Sequence, residues 1–136
     1  MSELRILLVD DLEGWRQRIR SILEGRPDLR VVGEASDGLE AVQKAKELKP
    51  DLVLLDIGLP HLNGIEAEHR LYQVVPTAKV LFVTQDDDDD VVRTALSNGA
   101  HGYILKSDAG SELLPGIEAI LGGEKFISSG IRMARS

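Results

Sequence analysis

The chain contains no cysteine. Disulfide staples, thiolate metal sites and cysteine nucleophiles are therefore excluded. Aromatic residues are scarce, with one Trp, two Tyr and two Phe among 136 residues, and none stands in a dense basic stretch that would stack on a nucleic-acid strand. Long apolar runs are missing as well. The longest, such as Leu52 to Leu55, fall far short of the ~20 residues that a membrane span requires. No basic region precedes a long apolar stretch at the N-terminus, so a secretion signal is not expected, no membrane partner is expected, and the expected location is the cytoplasm. Positive charge is in deficit: 16 Lys and Arg against 23 Asp and Glu give a formal net charge of −7. A surface of that sign repels nucleic acid unless a local basic patch overrides it. Arg16, Arg18 and Arg20 lie on one expected helix and Arg132 and Arg135 in the tail, too scattered for such a patch. Direct nucleic-acid binding by this chain is not expected.

What is present is enough for one ordinary domain. A chain of this size buries roughly two thirds of its unfolded surface, and 43% hydrophobic residues suit a packed core. Five short apolar runs stand out: Leu4–Val9, Leu29–Val32, Leu52–Leu55, Val80–Val83 and Tyr103–Leu105. Ile6-Leu7-Leu8-Val9 and Leu52-Val53-Leu54-Leu55 are apolar continuously rather than alternately, the pattern of parallel strands covered by helices on both faces. Between them lie helical stripes: Leu12, Trp15, Ile19, Ile22 and Leu23; Leu39, Val42, Ala45 and Leu48; a segment from Ile65 to Val75; Val91, Val92, Ala95 and Leu96; and Leu113, Leu114, Ile117, Ile120 and Leu121. Pro115 belongs in a first turn, which predicts that the last helix begins near Ser111 or Glu112. The order is βα repeated five times. Right-handed crossovers then give an α/β, doubly wound, five-stranded parallel sheet of order 2-1-3-4-5 with five helices, flavodoxin-like. Residues after Gly123 read as a short irregular tail.

The informative residues are those that end each strand. Asp10-Asp11 end the first, Asp56 the third, Thr84 the fourth and Lys106 the fifth. In open α/β sheets ligands bind at the carboxyl ends of the strands where strand order reverses, here between the first and third. Three carboxylates gathered there repel one another, by on the order of 4 kcal/mol per pair at ~4 Å and an effective dielectric near 20. A hard divalent cation such as Mg²⁺, bound through oxygen, offsets that repulsion. Lys106 and the Thr84 hydroxyl suit phosphate oxygens, and a carboxylate can be the nucleophile of phosphoryl transfer. Each residue also has a plain structural reading. Asp10 can cap a helix with Glu13 as its box partner, Asp56 can open a turn, Thr84 can cap the fourth helix, and Lys106 can be a solvated lysine. The acidic run Asp86–Asp90 suits the positive end of the fourth helix. His61, His69 and His101 lack metal-ligand spacing, and Trp15 reads as a core residue.

Leu7-Leu8-Val9-Asp10-Asp11, Leu55-Asp56-Ile57-Gly58-Leu59-Pro60, Val83-Thr84 and Gly102-Tyr103-Ile104-Leu105-Lys106 together resemble the receiver domain of two-component response regulators, over about residues 4 to 122. The stretch Gly99 to Lys106 and the closing Gly123-Glu124-Lys125-Phe126 resemble the subgroup with a LuxR-type helix-turn-helix output domain. The resemblance implies that Asp56 accepts a phosphoryl group from a phosphohistidine on a sensor histidine kinase. It implies that Asp11, Asp56 and the Gly58 backbone carbonyl bind Mg²⁺, with Asp10 assisting through water. It further implies that Thr84 and Lys106 hold phosphoryl oxygens and that Tyr103 moves inward as Thr84 shifts. The surface of the fourth helix, fifth strand and fifth helix would then change its contacts, with homodimer formation on phosphorylation as one outcome. Residues 1–123 would be the receiver, and 124–136 a tail or the start of a linker to an output domain that regulates transcription.

Two positions depart from the family pattern. Gln85 stands where a small residue is usual, and Ser107 replaces a frequent proline. Gln85, with Gly58 leaving the other side of the site bare, is expected to modulate access. Gly58 also stands where an aspartyl-phosphate phosphatase would carry its general acid, so catalysis is expected only on the chain's own aspartate. The acidic loop Asp10-Asp11-Leu12-Glu13 does not suit a nucleotide or flavin phosphate. A degenerate receiver that binds partners without phosphorylation is the alternative.

Overall fold

The computed structural model describes residues 3–131. The chain runs β1 (Leu4–Val9), α1 (Glu13–Leu23), β2 (Leu29–Ala35), α2 (Gly38–Leu48), β3 (Leu52–Leu55), α3 (Gly64–Val74), β4 (Lys79–Thr84), α4 (Asp89–Ser97), β5 (Gly102–Leu105), a 3₁₀ turn (Lys106–Asp108), α5 (Ala109–Leu121) and β6 (Phe126–Ile127). All strand pairs are parallel, and the sheet order is β2-β1-β3-β4-β5-β6.

The continuous apolar strands serve two cores at once. Leu7, Val9, Val53, Leu55, Val80, Phe82 and Tyr103 point to the face covered by α2, α3 and α4. Ile6, Leu8, Leu52, Leu54, Leu81, Val83 and Ile104 point to the face covered by α1 and α5. Successive residues of a strand alternate faces, so a strand buried on both has no place for a polar residue until it ends. That is why the polar groups collect beyond the strand termini. Helix ends are fastened by side chains: Asp37 accepts from the Glu40 N–H, Asn63 from the Glu66 N–H, and Asp88 from the N–H groups of Asp90 and Val91, each satisfying donors left open in a first turn.

Three expectations differ from the structure. The sheet has six strands rather than five, because the segment after Gly123 is not irregular. Phe126–Ile127 pairs with β5, taking up an edge that would otherwise expose unpaired backbone groups. A Cβ at Gly116 would lie 2.9 Å from the Phe126 ring, so only glycine lets α5 approach the new strand this closely. Beyond it, the buried Ser128 accepts from the Leu105 N–H at 3.0 Å, Glu112 accepts from the Ser129 N–H and hydroxyl, and Asp108 Oδ2 accepts from the Gly130 N–H at 3.0 Å. Ile131 is buried in the α2–α3–α4 core. Arg132 and Arg135 lie outside the described residues. Secondly, α5 begins at Ala109 and carries Pro115 in its interior. Pro115 and Ser111 are both exposed, so the helical bond that proline cannot donate is lost on a solvent-exposed stretch of the helix. Thirdly, Leu12, Leu39 and Leu121 are exposed. On α2 the expected Ala45 is buried and Val42 and Leu48 pack against the core, but Gly38 and Ala41 fill the inward face where Leu39 was expected.

Candidate functional site

The pairing of β1 with β3 sets Val9 opposite Leu55, which brings the next residues, Asp10 and Asp56, side by side. Backbone bonds hold both: Asp10 N–H donates to Ala35 O at 3.1 Å, and Asp56 N–H to Val9 O at 3.0 Å. Asp10 is 1% exposed and Asp56 6%, whereas Asp11 is exposed. One carboxylate oxygen from each of Asp10, Asp11 and Asp56 lies within 4.8 Å of the others. This is a cluster of hard oxygen donors that fits a divalent cation.

Lys106 enters from the end of β5. Its Nζ stands 2.8 Å from Asp10 Oδ2 and 3.3 Å from Asp56 Oδ2, and the residue is 7% exposed. The solvated-lysine reading is thereby excluded. Asp10 Oδ1 accepts from the Leu12 N–H at 2.9 Å, and Asp56 Oδ1 from the Ile57 N–H at 2.7 Å. Burial pushes the Asp10 carboxyl above its ordinary range, against the Lys106 and Leu12 hydrogen bonds that lower it, and the neighbouring Asp56 charge adds to the rise. Loss of hydration therefore outweighs one lysine, the electrostatic condition under which a second cation is favoured. No side chain caps α1, so the capping box of Asp10 with Glu13 is not formed.

The loop after Asp56 depends on a glycine. A Cβ at Gly64 would lie 2.1 Å from the Asp56 carbonyl oxygen, and the Gly64 N–H donates to Ile57 O at 2.7 Å. The first turn of α3 thus packs directly on the backbone that presents Asp56. On the open side, a cleft of about 250 Å³ is lined by Asp11, Leu12, Asp56, Gly58, Thr84, Gln85, Asp86 and Lys106. A Cβ at Gly58 would meet nothing within 4 Å, and Gln85 is exposed at the rim. A larger groove of about 480 Å³, lined by Leu4, Asp51, Lys79 and others, lies at the opposite, amino ends of the strands and gathers none of these groups.

Thr84 is buried, and its Oγ1 accepts from the Asp86 N–H at 3.3 Å; the cap of α4 is Asp88 instead. Tyr103 is fully buried beneath the same loop. Its ring centroid lies 5.8 Å from that of Phe82, and its hydroxyl donates to Asp86 O at 2.6 Å. Burial, reinforced by the Asp86 and Asp56 charges, pushes that hydroxyl far up. Thr84 and Tyr103 therefore grip one loop residue from two sides. Sequence reasoning missed Trp15, which is half-buried against the α1–α5 core but turns its ring to Lys106, 4.9 Å from Nζ. No spacing rule links residues 15 and 106; the contact exists only because α1 and β5 flank the same crevice.

Residues 6–118 match the model of the response regulator receiver domain. The chain belongs to that family. It is 38% identical to the transcriptional regulatory protein LiaR of Bacillus subtilis over 93% of this chain and 60% of LiaR. It is 37% identical to the nitrate/nitrite response regulator protein NarL of Escherichia coli over 93% of this chain and 58% of NarL. The receiver thus spans little more than half the length of these relatives. Among solved structures it resembles a LuxR-family two-component response regulator from Aurantimonas sp., with a TM-score of 0.90 at 39% identity, covering 97% of this chain and 94% of that one. The receiver's sheet and helices are those expected, with β6 added. Among the described residues no helix is long and apolar enough to cross a membrane.

Proposed function

We propose that this receiver takes a phosphoryl group on Asp56 from a phosphohistidine of a sensor histidine kinase. The observation that carries the reading is the convergence of Asp10, Asp11 and Asp56 within 4.8 Å, with the Lys106 ammonium bridging two of them. An Asp56 carboxylate oxygen attacks phosphorus, the P–N bond breaks, and the electron pair leaves with the imidazole, which takes up a proton. Asp11, Asp56 and the Gly58 carbonyl would hold Mg²⁺, with Asp10 assisting through water. The ion supplies neutralisation of the charge on the transferring group. Lys106 and the Thr84 hydroxyl hold two of the phosphoryl oxygens. The chain transforms only its own aspartate and acts on no external substrate.

The readout runs through the β4–α4 loop. A phosphoryl oxygen accepts from the Thr84 hydroxyl, whose oxygen accepts from the Asp86 N–H, so drawing Thr84 inward pulls on this loop, and Tyr103, already inside and bonded to Asp86 O, carries the shift to the α4–β5–α5 surface. Residues 124–136 would lead into a LuxR-type output domain, so that the switch controls self-association and transcription. Gln85 at the cleft rim slows entry of a phosphodonor or of hydrolytic water. Mass measurement after incubation with a small phosphodonor and Mg²⁺ tests the assignment: wild type gains one phosphoryl group and Asp56→Asn gains none. Labelling of the variant at the wild-type level refutes it. Equal uptake and decay in Gln85→Ala removes the role of Gln85 alone.

A further inference from the structure

The Lys106 ammonium has three faces in this structure. Two are taken by Asp10 Oδ2 at 2.8 Å and Asp56 Oδ2 at 3.3 Å. The third faces the indole of Trp15, with Nζ 4.9 Å from the ring centroid. Trp15 is half-buried and packs against the core between the sheet and helices α1 and α5. An aromatic face attracts a cation through its quadrupole, most strongly where water is excluded, and Lys106 is 7% exposed.

We propose that Trp15 is a positioning residue for Lys106, its indole face holding the ammonium in the crevice when the carboxylates turn to other partners. The inference rests on the reading of Asp56 as phosphoacceptor and says how Lys106 is kept ready for it. A divalent cation held at Asp11 and Asp56 with the help of Asp10 would draw on the carboxylates that Lys106 now engages, and its charge would repel the ammonium. A lysine has a flexible four-carbon stem and a strongly hydrated head. Released by both aspartates, it would swing to solvent. The indole offers attraction without an acceptor atom, so it retains the ammonium and does not compete with a phosphoryl oxygen for the N–H donors. A carboxylate in that place would compete, and an aliphatic side chain would offer no attraction.

The test pairs Trp15→Phe, which keeps an aromatic face, with Trp15→Leu, which keeps apolar packing only. In NMR spectra, the ε-methylene protons of Lys106 are shifted upfield by the ring in wild type, less so in Trp15→Phe and not in Trp15→Leu, with and without Mg²⁺. Phosphoryl uptake from acetyl phosphate is about five- to tenfold slower in Trp15→Leu and within about twofold of wild type in Trp15→Phe, as loss of one partly solvated cation–π contact implies. Wild-type circular dichroism in both variants excludes a folding defect; if leucine does not fold, Trp15→Met provides the same comparison. An unshifted Lys106 in wild type, or uptake by the folded aliphatic variant at the wild-type rate, overturns the proposal. If wild type takes up no phosphoryl group while the ring shift is present, the phosphoacceptor reading fails and the contact stands.

Discussion

Two buried acidic places in this molecule are built in opposite ways. At the carboxyl ends of β1 and β3, Asp10 and Asp56 share one lysine and accept backbone N–H groups, and Asp56 opens onto a cleft. In the middle of α3, Glu68 is 0% exposed. Its Oε1 has no hydrogen-bond partner among the described residues, and the Tyr72 hydroxyl lies 3.5 Å from Oε2. That hydroxyl already donates to Gly99 O at 2.8 Å. Burial, only partly opposed by Tyr72 and the Ala100 N–H, pushes the Glu68 carboxyl up to about 8. Burial thus favours the neutral form of Glu68, which has no cation beside it among the described residues, whereas the crevice sets Lys106 between its carboxylates. Burial alone does not make a reactive carboxylate; the supply of partners decides whether a buried acid stays charged.

The largest expected effect is on chemistry. Asp56→Asn abolishes phosphoryl uptake measured by mass, while Glu68→Gln leaves it intact; uptake lost in both would erase the contrast. Next comes pH. The folded-state value of Glu68 lies above its ordinary 4.5, so between about pH 4.5 and 8 the unfolded chain loses a proton that the folded chain keeps. Its contribution therefore favours folding fully at low pH, diminishes as pH rises through that window and levels off above it. The total is at most about 5 kcal/mol. Urea denaturation of wild type and Glu68→Gln across pH 4 to 9 reads this directly: the variant gains on wild type as pH rises. Removing the cation from the other site should be costly in its own way. Lys106→Met leaves two buried carboxylates facing each other and destabilises by about 3 kcal/mol, part of which added Mg²⁺ recovers; denaturant midpoints with and without the ion measure it. The smallest effect extends the comparison to a neutral group. Ser128→Ala strips the Leu105 N–H of its acceptor, costs about 1 kcal/mol, and speeds hydrogen exchange at that amide.

Much of the site was legible before any coordinates. Asp10, Asp11, Asp56, Thr84 and Lys106 were identifiable because each follows an apolar run that must be a buried strand, and a parallel sheet delivers all such positions to one end. The inward lodging of Tyr103 needed the structure: a half-buried tyrosine and a fully buried one bonded to Asp86 O have the same sequence. Pro115 misled because its helical position was judged by a local rule, whereas an exposed helix face tolerates the lost bond. The tail misled because Phe126-Ile127 is too short to announce a strand. It becomes one only because β5 offers a free edge and Gly116 leaves room for the Phe126 ring.

By itself, then, the sequence determined which polar residues terminate which strands, the order of the first five strands and the identity of the acidic cluster. Those are consequences of patterns only a few residues long, read against the periods of strand and helix. Tertiary structure alone decided that Lys106 lies between two aspartates and an indole, that Tyr103 and Thr84 hold the same loop, and that Glu68 is sealed without a counter-charge. These depend on distances between residues far apart in the chain. In a densely packed interior such distances are set by the whole arrangement of neighbours and not by any local pattern.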